Sequence, residues 1–343
     1  MPEPVLSIRD LVVEFSTEDG VVQAVDGVTY DVYPGETLGI VGESGSGKSV
    51  STMSILGLIP QPPGRIVNGE AIFKDRDLLK LSKKQLRRVR GNEVALVFQD
   101  PMTSLNPVLK IGAQIGEAIR THHPDLKDGE VEQRTIGLLR TVGVPNPERR
   151  YEQYPHEFSG GMRQRAMIAM SIANSPSLLI ADEPTTALDV TIQAQILEVL
   201  KKAQDETHAA TILITHDLGL IAELADRVIV MYAGKIVELG DVHTIFESPR
   251  HPYTVGLMDS LPRLDTDEEW LRPIPGQPPS LINRPPGCPF HPRCFLSQGR
   301  VRCREEEPPL RPVGGSAHLT ACHFAEELEG RVGHLADPVG AGA

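Results

Sequence analysis

Residues 42–49 of the chain read Gly-Glu-Ser-Gly-Ser-Gly-Lys-Ser and directly follow the apolar run 37–41. The pattern Gly-x-x-x-x-Gly-Lys-Ser at a strand-to-helix junction predicts a phosphate loop, because its backbone N–H groups and the following helix both favour an anion. A plain connection between two elements is the alternative, and the adjoining Lys48 and Ser49 argue against it. Lys48 would contact the β- and γ-phosphates of a nucleotide, and the Ser49 hydroxyl would bind Mg²⁺. The expected nucleotide contacts in this loop are Gly42, Glu43, Ser44, Gly45, Ser46, Gly47, Lys48, Ser49 and Val50.

Three later apolar runs each lead into polar residues that can take part in chemistry. Residues 94–98 lead into Gln99, residues 178–181 into Asp182 and Glu183, and residues 211–215 into His216. Near-continuous apolar runs are typical of strands buried on both faces of a parallel sheet. Ligands of such sheets bind beyond the carboxyl ends of the strands, so we expect the four polar residues to converge near the phosphate loop.

A second helix N-terminus suited to phosphate is predicted at Ser159, Gly160 and Gly161, just before the helix-forming stretch 163–170. Ser159 is a good N-cap residue, and the two glycines leave their N–H groups accessible. Upstream, residues 102–158 indicate helices interrupted by Pro and Gly, which predicts a helical insert. Residues 5–33 read as short alternating strands, and Phe15 lies where an aromatic ring could stack on a purine or belong to the core.

Composition limits the classes of partner. A chain of 343 residues with 40% hydrophobic residues predicts one large domain with an appendage, and its net charge of −12 argues against a nucleic-acid partner. The first residues lack the basic and apolar regions of a signal peptide, and no apolar run is long enough to span a membrane. We therefore expect a cytosolic protein whose contact with a membrane is made through a partner.

All four cysteines, Cys288, Cys294, Cys303 and Cys322, follow a proline-rich stretch near the C-terminus. Such a segment forms little regular structure, and disulfides are disfavoured in a reducing cytosol, whereas thiolates can hold a metal centre. Structural zinc generally uses a close cysteine pair, which the spacing Cys-x5-Cys-x8-Cys-x18-Cys lacks. The spacing better suits a [4Fe–4S] cluster, while zinc and unligated thiols remain alternatives.

Together these motifs resemble the nucleotide-binding subunit of an ATP-binding cassette (ABC) transporter over residues 5–245. The phosphate loop resembles its Walker A, Gln99 its Q-loop, residues 158–162 its signature, residues 178–183 its Walker B, residues 187–189 its D-loop and His216 its switch histidine. Phe158 and Met162 depart from the commoner Leu and Gln of the signature, but the central Ser-Gly-Gly is intact. The resemblance implies an α/β fold of the P-loop NTPase type, namely an ABC cassette with a RecA-like core, an N-terminal antiparallel β subdomain and a helical insert.

Residues 98–107 and 248–264, with the cysteine-containing tail, resemble more narrowly the dipeptide/oligopeptide and nickel importer branch. This branch implies an ABC domain over residues 1–250, with a helical subdomain at about 102–170. It also implies an irregular extension over residues 251–343 that carries a [4Fe–4S] cluster.

The resemblance also implies a role for each site residue. ATP would lie between two cassettes, with the phosphate loop of one facing Ser159, Gly160 and Gly161 of the other. Mg²⁺ would be held by Ser49, Asp182 and Gln99. Glu183 would polarise the attacking water and His216 would contact the γ-phosphate.

The function implied is ATP hydrolysis that drives import of di- or oligopeptides. The implied partners are two membrane permeases, a second ATPase subunit and an extracytoplasmic solute-binding protein, with the chain peripheral at the cytoplasmic face of the inner membrane. The alternatives are an importer ATPase for nickel or another small solute, and a soluble ABC ATPase outside transport.

Overall fold

Two β-sheets form the scaffold in the computed structural model, which describes residues 2–100, 104–185, 190–260, 273–314 and 317–330. One sheet has the strand order β2-β1-β4-β5, and the other has the order β11-β12-β10-β9-β3-β8-β7-β6. The strands are β1 Leu6–Thr17, β2 Gly20–Val32, β3 Thr37–Val41, β4 Gly64–Phe73, β5 Arg76–Asp77, β6 Val94–Val97, β7 Leu178–Asp182, β8 Ala210–Ile214, β9 Arg227–Tyr232, β10 Lys235–Asp241, β11 Arg311–Pro312 and β12 Leu319–Thr320.

The helices surround the larger sheet. They are α1 Lys48–Ile55, α2 Lys83–Val89, α3 Ile111–His122, α4 Asp128–Thr141, α5 Pro147–Tyr151, α6 Gly160–Ser171, α7 Val190–Thr207, α8 Leu218–Leu224, α9 Val242–Glu247, α10 Pro252–Asp259 and α11 Val301–Glu305. Short 3₁₀ turns lie at Leu78–Lys80, Pro155–Glu157, His291–Arg293 and Ala325–Leu328. None of the helices in the described ranges is both long and apolar enough to cross a bilayer.

The larger sheet confirms the prediction made from the apolar runs. Strands β9, β3, β8, β7 and β6 are parallel, and every residue of β3, β7 and β8 is buried. Alternate side chains of each strand enter different cores, since Leu178 and Ile180 pack toward the antiparallel sheet while Leu179 and Ala181 pack toward the helices. A strand covered on both faces has to be apolar throughout, which is the pattern seen in the sequence.

The N-terminal antiparallel sheet confirms the predicted β subdomain, but its strands are longer than expected. β1 has 12 residues and β2 has 13, and they pair from Leu6 with Val32 to Thr17 with Gly20. The polar segment at Glu18 and Asp19 closes a tight hairpin rather than ending the sheet. The pairing register shifts between Ile8 and Glu14 of β1, and the strand stays paired with β2 on both sides of these shifts.

The C-terminal extension joins the larger sheet. β12 pairs antiparallel with β10, and β11 pairs with β12, so two short strands extend one edge of the sheet. Tyr253 of α10 and Phe290 are buried in the same core as the helices of the insert. Apart from α10, α11 and two 3₁₀ turns, the rest of the described extension is irregular, as its proline content predicts.

Candidate functional site

The phosphate loop links β3 to α1, as expected. Gly42 has a φ of +149°, and a Cβ there would lie 2.2 Å from the Met231 carbonyl oxygen. Gly47 has a φ of +100°, and a Cβ there would lie 2.3 Å from the Ala24 carbonyl oxygen. A side chain would collide with backbone at both positions, so the loop can follow this path only with glycine.

Lys48 is the first residue of α1, and its ammonium lies inside the curve of the loop. Its Nζ donates to the carbonyl oxygens of Gly42 at 2.7 Å and Glu43 at 3.0 Å. Burial lowers the pKa of Lys48, and the carboxylates of Glu183, Asp182 and Glu43 oppose that shift. A buried ammonium at this point can exchange loop carbonyls for phosphate oxygens without a change of helix position.

Ser49 near the start of α1 and Asp182 at the end of β7 lie side by side. The Ser49 hydroxyl donates to Asp182 Oδ1 at 2.7 Å. Burial raises the pKa of Asp182, the hydrogen bond from Ser49 opposes this, and the nearby Glu183 carboxylate adds to it. A hydroxyl and a carboxylate at this separation are oxygen donors of the kind that Mg²⁺ prefers, and a bound cation would favour the ionised form of Asp182.

Glu183 lies between Gln99 and His216. Gln99 Nε2 donates to Glu183 Oε2 at 3.1 Å, and His216 Nδ1 lies 3.7 Å from the same oxygen. The Glu183 backbone has a φ of +47°, an uncommon conformation for a residue with a side chain, and its N–H donates to the Ile214 carbonyl of β8 at 2.9 Å. Backbone strain of this kind is found where a functional side chain must be aimed in a fixed direction.

The structure thus brings together the polar residues that follow three parallel strands, as the sequence predicted. It does not bring the Ser-Gly-Gly turn to them. Ser159 and Gly160 are exposed, and the Ser159 hydroxyl accepts a hydrogen bond from the Met162 amide at 3.3 Å as the N-cap of α6. The turn therefore has its predicted geometry and faces outward.

Two further predicted features concern the rim of the site. Phe15 is half-buried in β1, packs against the core below the antiparallel sheet and lies next to Gly64, where a Cβ would be 2.9 Å from its ring. The stacking role of Phe15 stays a prediction. The D-loop assigned to residues 187–189 lies outside the described residues.

The four cysteines line one cavity in the extension, with about 320 Å³ of empty space that is partly open to solvent. Burial raises the pKa of Cys288 to about 11 and those of Cys294 and Cys322 to about 12, and it also raises the pKa of Cys303. In the ranges that the structure describes, no group of three or more His, Cys, Asp or Glu side chains is placed to hold a metal ion. The four thiols therefore share one cavity, and the metal centre expected there stays a prediction.

Sequence reasoning missed two residues of the extension that contact the phosphate loop. Arg293 forms an ion pair with Glu43, and the Tyr253 hydroxyl accepts a hydrogen bond from the Glu43 amide at 2.8 Å. More than 200 positions separate the partners in each contact. No local sequence pattern predicts such contacts. Residues 248–264, which include Tyr253, resemble a segment of one importer branch, but that resemblance does not predict a contact with the phosphate loop.

Comparisons with known proteins agree with this geometry. A family model described as ABC transporter matches residues 25–186, and one described as oligopeptide/dipeptide transporter, C-terminal region, matches residues 237–303. The dipeptide transport ATP-binding protein DppD of Bacillus subtilis is 50% identical over 325 residues, covering 95% of this chain and 96% of that protein. The chain belongs to the family of ABC transporter ATP-binding proteins.

Other relatives of this ABC protein have similar coverage. The oligopeptide transport ATP-binding protein OppD of Bacillus subtilis is 53% identical over 92% of this chain and 87% of that protein. DppD of Escherichia coli is 51% identical over 95% of this chain and 98% of that protein. Among solved structures, the dimeric MJ0796, a bacterial ABC transporter cassette, has a TM-score of 0.62 at 25% identity and covers 69% of this chain and 98% of that chain.

A second solved structure, cbiO1 from Clostridium perfringens, has a TM-score of 0.60 at 26% identity and covers 71% of this chain and 91% of that chain. These comparisons confirm the predicted ABC cassette fold and the assignment of the chain as an ATP-hydrolysing subunit.

Proposed function

We propose that this ABC ATPase drives the import of dipeptides or oligopeptides by binding ATP between two cassettes and hydrolysing it. The observation that carries the hydrolytic part is the convergence of Ser49, Asp182, Glu183, Gln99 and His216 beside the phosphate loop. The cargo class is supported by the names of the relatives and by the match of residues 237–303 to the C-terminal region of peptide transporters.

The phosphate loop and Lys48 would bind the triphosphate, and Ser49 and Asp182 would hold Mg²⁺ with Gln99. The hydrogen bond from the Ser49 hydroxyl to Asp182 Oδ1, at 2.7 Å, supports this assignment, because two oxygens this close can both reach one cation. The metal would neutralise charge on the β- and γ-phosphates. Val50 and the remaining loop residues would contribute backbone donors at the start of α1, and Phe15 would stack on the base.

Glu183 would accept a hydrogen bond from the attacking water and orient it toward the γ-phosphate. Gln99 and His216 both contact its carboxylate, so they are placed to fix its orientation and to sense the phosphate. Phosphoryl transfer depends mainly on positioning and on stabilisation of charge, which suits a site made of backbone donors, one lysine and a metal.

A second cassette would complete the site. Ser159, Gly160 and Gly161 form a helix N-terminus that has its N-cap, and Ser159 and Gly160 are exposed. A helix N-terminus with accessible N–H groups attracts phosphate. The γ-phosphate held by another cassette is the ligand that this turn would bind, and its loss on hydrolysis would let the two cassettes separate.

The membrane permeases would dock in a groove between the larger sheet and the helical insert. The groove has about 920 Å³ of empty space, much of it open, and it is lined by Leu58, Phe98, His122 and Met170 among others. Leu58 and Phe98 are 37% and 40% exposed and line the same groove, and exposed apolar side chains that lie together favour a site for a partner protein. Phe98 directly precedes Gln99. A permease docked on Phe98 would therefore be one residue away from a proposed ligand of the metal.

Docking of this kind would place the chain at the cytoplasmic face of the inner membrane. The solute-binding protein would act on the other side of the membrane and reach the ATPase only through the permeases. The net charge of −12 argues against nucleic acid as a partner.

The cysteine cavity would hold a [4Fe–4S] cluster. Two features support it: all four thiols line one cavity, and the Phe324 amide donates to the Cys322 sulfur at 3.4 Å. Such N–H donors stabilise thiolates, which a metal centre requires. Structural zinc generally uses a close cysteine pair, which the spacing of these four cysteines lacks, so the spacing favours a cluster over a single zinc ion.

Anaerobic purification tests the cluster directly. The account expects a brown protein that contains iron and sulfide and loses both when Cys303 is replaced by Ser. A colourless protein that contains zinc would reverse the choice of metal, and one that contains neither would leave four unligated thiols.

The rival cargoes can be separated by reconstitution with the cognate permeases and binding protein. Peptide import predicts that ATP hydrolysis rises when dipeptides or oligopeptides are added and stays unchanged with nickel. Stimulation by nickel or by another small solute alone would overturn the cargo class. Failure to associate with any permease would favour a soluble ABC ATPase.

A further inference from the structure

Two residues of the C-terminal extension contact the phosphate loop directly. Nη1 and Nη2 of Arg293 lie 2.7 and 2.9 Å from the two carboxylate oxygens of Glu43, in a bidentate ion pair. The Tyr253 hydroxyl accepts a hydrogen bond from the Glu43 amide at 2.8 Å. The Glu43 carbonyl accepts from Lys48 Nζ at 3.0 Å, so the side chain, the amide and the carbonyl of Glu43 are all bound.

The two residues are themselves firmly held. The side chain of Arg293 is 5% exposed, and it also donates to the Pro275 carbonyl at 2.9 Å and to the Tyr232 hydroxyl at 3.2 Å. Tyr253 and Phe290 pack against Tyr232, with ring centroids 4.6 and 5.2 Å away. Buried aromatic packing of this kind fixes both polar tips at the surface of the loop.

Charge gives the contact a consequence for nucleotide binding. Glu43 lies close enough to Lys48 for its carboxylate to affect the pKa of that lysine. An uncompensated carboxylate there would repel a triphosphate and would compete with it for the Lys48 ammonium. The ion pair removes both effects, because a guanidinium matches a carboxylate in two parallel hydrogen bonds.

We propose that Arg293 and Tyr253 are positioning residues of the nucleotide site, which hold the phosphate loop open for ATP by neutralising and fixing Glu43. The extension therefore acts on the ATPase site as well as on the fold. This inference rests on the proposed binding of the triphosphate at Lys48, and neither residue touches the nucleotide.

The test measures the ATP dissociation constant of the purified full-length chain, and kcat and KM in the assembled transporter. Arg293→Met should weaken ATP binding by about tenfold, and Arg293→Lys by about threefold, because lysine keeps the charge without the fork. Tyr253→Phe, which removes one oxygen, should weaken binding by about threefold. KM should rise in each variant while kcat changes by less than about twofold.

Removal of the carboxylate should rescue the first variant. Glu43→Gln in the Arg293→Met background should recover most of the lost affinity, since no unpaired charge then faces the phosphates. Glu307→Gln is the matched control: Glu307 is an extension residue whose ion pair with Lys235, at 2.6 Å, does not involve the loop. That control should leave ATP affinity at the wild-type value.

The proposal is overturned if folded Arg293→Met and Tyr253→Phe bind ATP as wild type does and differ only in melting temperature. If Arg293→Met does not fold, Tyr253→Phe alone decides. Lys48→Ala separates this inference from the proposed site. If Lys48→Ala loses ATP binding while both positioning variants bind ATP normally, the inference is wrong and the proposed site stands. Normal binding in Lys48→Ala sinks the assigned nucleotide site itself.

Discussion

At the scale of single residues, Glu183 is the side chain whose placement says most about the chemistry. It follows β7 in a left-handed backbone conformation, and its carboxylate contacts both Gln99 and His216. A strained residue held by two polar partners on neighbouring strands is positioned for one task. In the proposed mechanism, that task is the orientation of water for attack on the γ-phosphate.

Replacement of this carboxylate should separate binding from hydrolysis. Glu183→Gln keeps the shape and loses the negative acceptor, so turnover should fall by at least about 100-fold while ATP still binds. Phosphate release and ATP affinity measure the two effects, with the exposed-surface variant Lys84→Ala as a control. Near-normal phosphate release in Glu183→Gln would refute the role of the residue.

The polar residues of the site could be predicted from the sequence, and Arg293 and Tyr253 could not. Gln99, Asp182, Glu183 and His216 follow or end apolar runs that are typical of parallel strands, so one topological rule places them at one edge. Arg293 reaches Glu43 through a tertiary contact across 250 positions. Neither the spacing nor the polarity of the extension signals that partner.

At the scale of elements, β12 shows how far the extension belongs to the cassette. It pairs with β10 at Glu238, which is fully buried. The Glu238 carboxylate accepts hydrogen bonds from the His251 amide at 3.1 Å and from the Arg250 amide, and His318 Nε2 lies 2.7 Å from it. The long central strands were predictable from their apolar runs. A two-residue strand that pairs across about 80 positions carries no such pattern.

Glu238→Ala should therefore loosen the extension. The change leaves two buried amides and the imidazole of His318 without their acceptor, at a cost of about 3 to 5 kcal/mol in the free energy of unfolding. Glu307→Gln, whose carboxylate is 56% exposed, should cost no more than about 0.5 kcal/mol. Denaturant unfolding of both variants measures the difference, and equal stability of the two would show that Glu238 does not hold β12.

At the scale of the whole molecule, two outward surfaces indicate that this cassette works in an assembly. The groove that contains Phe98 exposes apolar side chains beside Gln99, and the Ser159 turn presents an exposed helix N-terminus. The first surface suits a permease and the second suits the nucleotide of another cassette. The sequence predicted the Ser-Gly-Gly turn, whereas the groove is visible only in the folded chain.

The groove can be tested by one truncation. Phe98→Ala should weaken association with the permeases by about 30-fold, the factor expected when a buried aromatic contact worth about 2 kcal/mol is removed. Val67→Ala alters an apolar side chain that is 49% exposed elsewhere and should have no effect. Co-purification and binding titration measure both variants, and equal loss, or no loss, in the pair would remove the groove from the docking surface.

The central claim is that ATP is bound across two cassettes, and the most direct test is a structure of the Glu183→Gln transporter loaded with ATP and Mg²⁺. The account predicts that the γ-phosphate on the Lys48 loop lies within about 3 Å of the Ser-Gly-Gly turn of the facing cassette. It likewise predicts that Ser159 and Gly161 of this chain contact the nucleotide of the other cassette. A nucleotide-loaded transporter in which both turns face solvent would contradict the account.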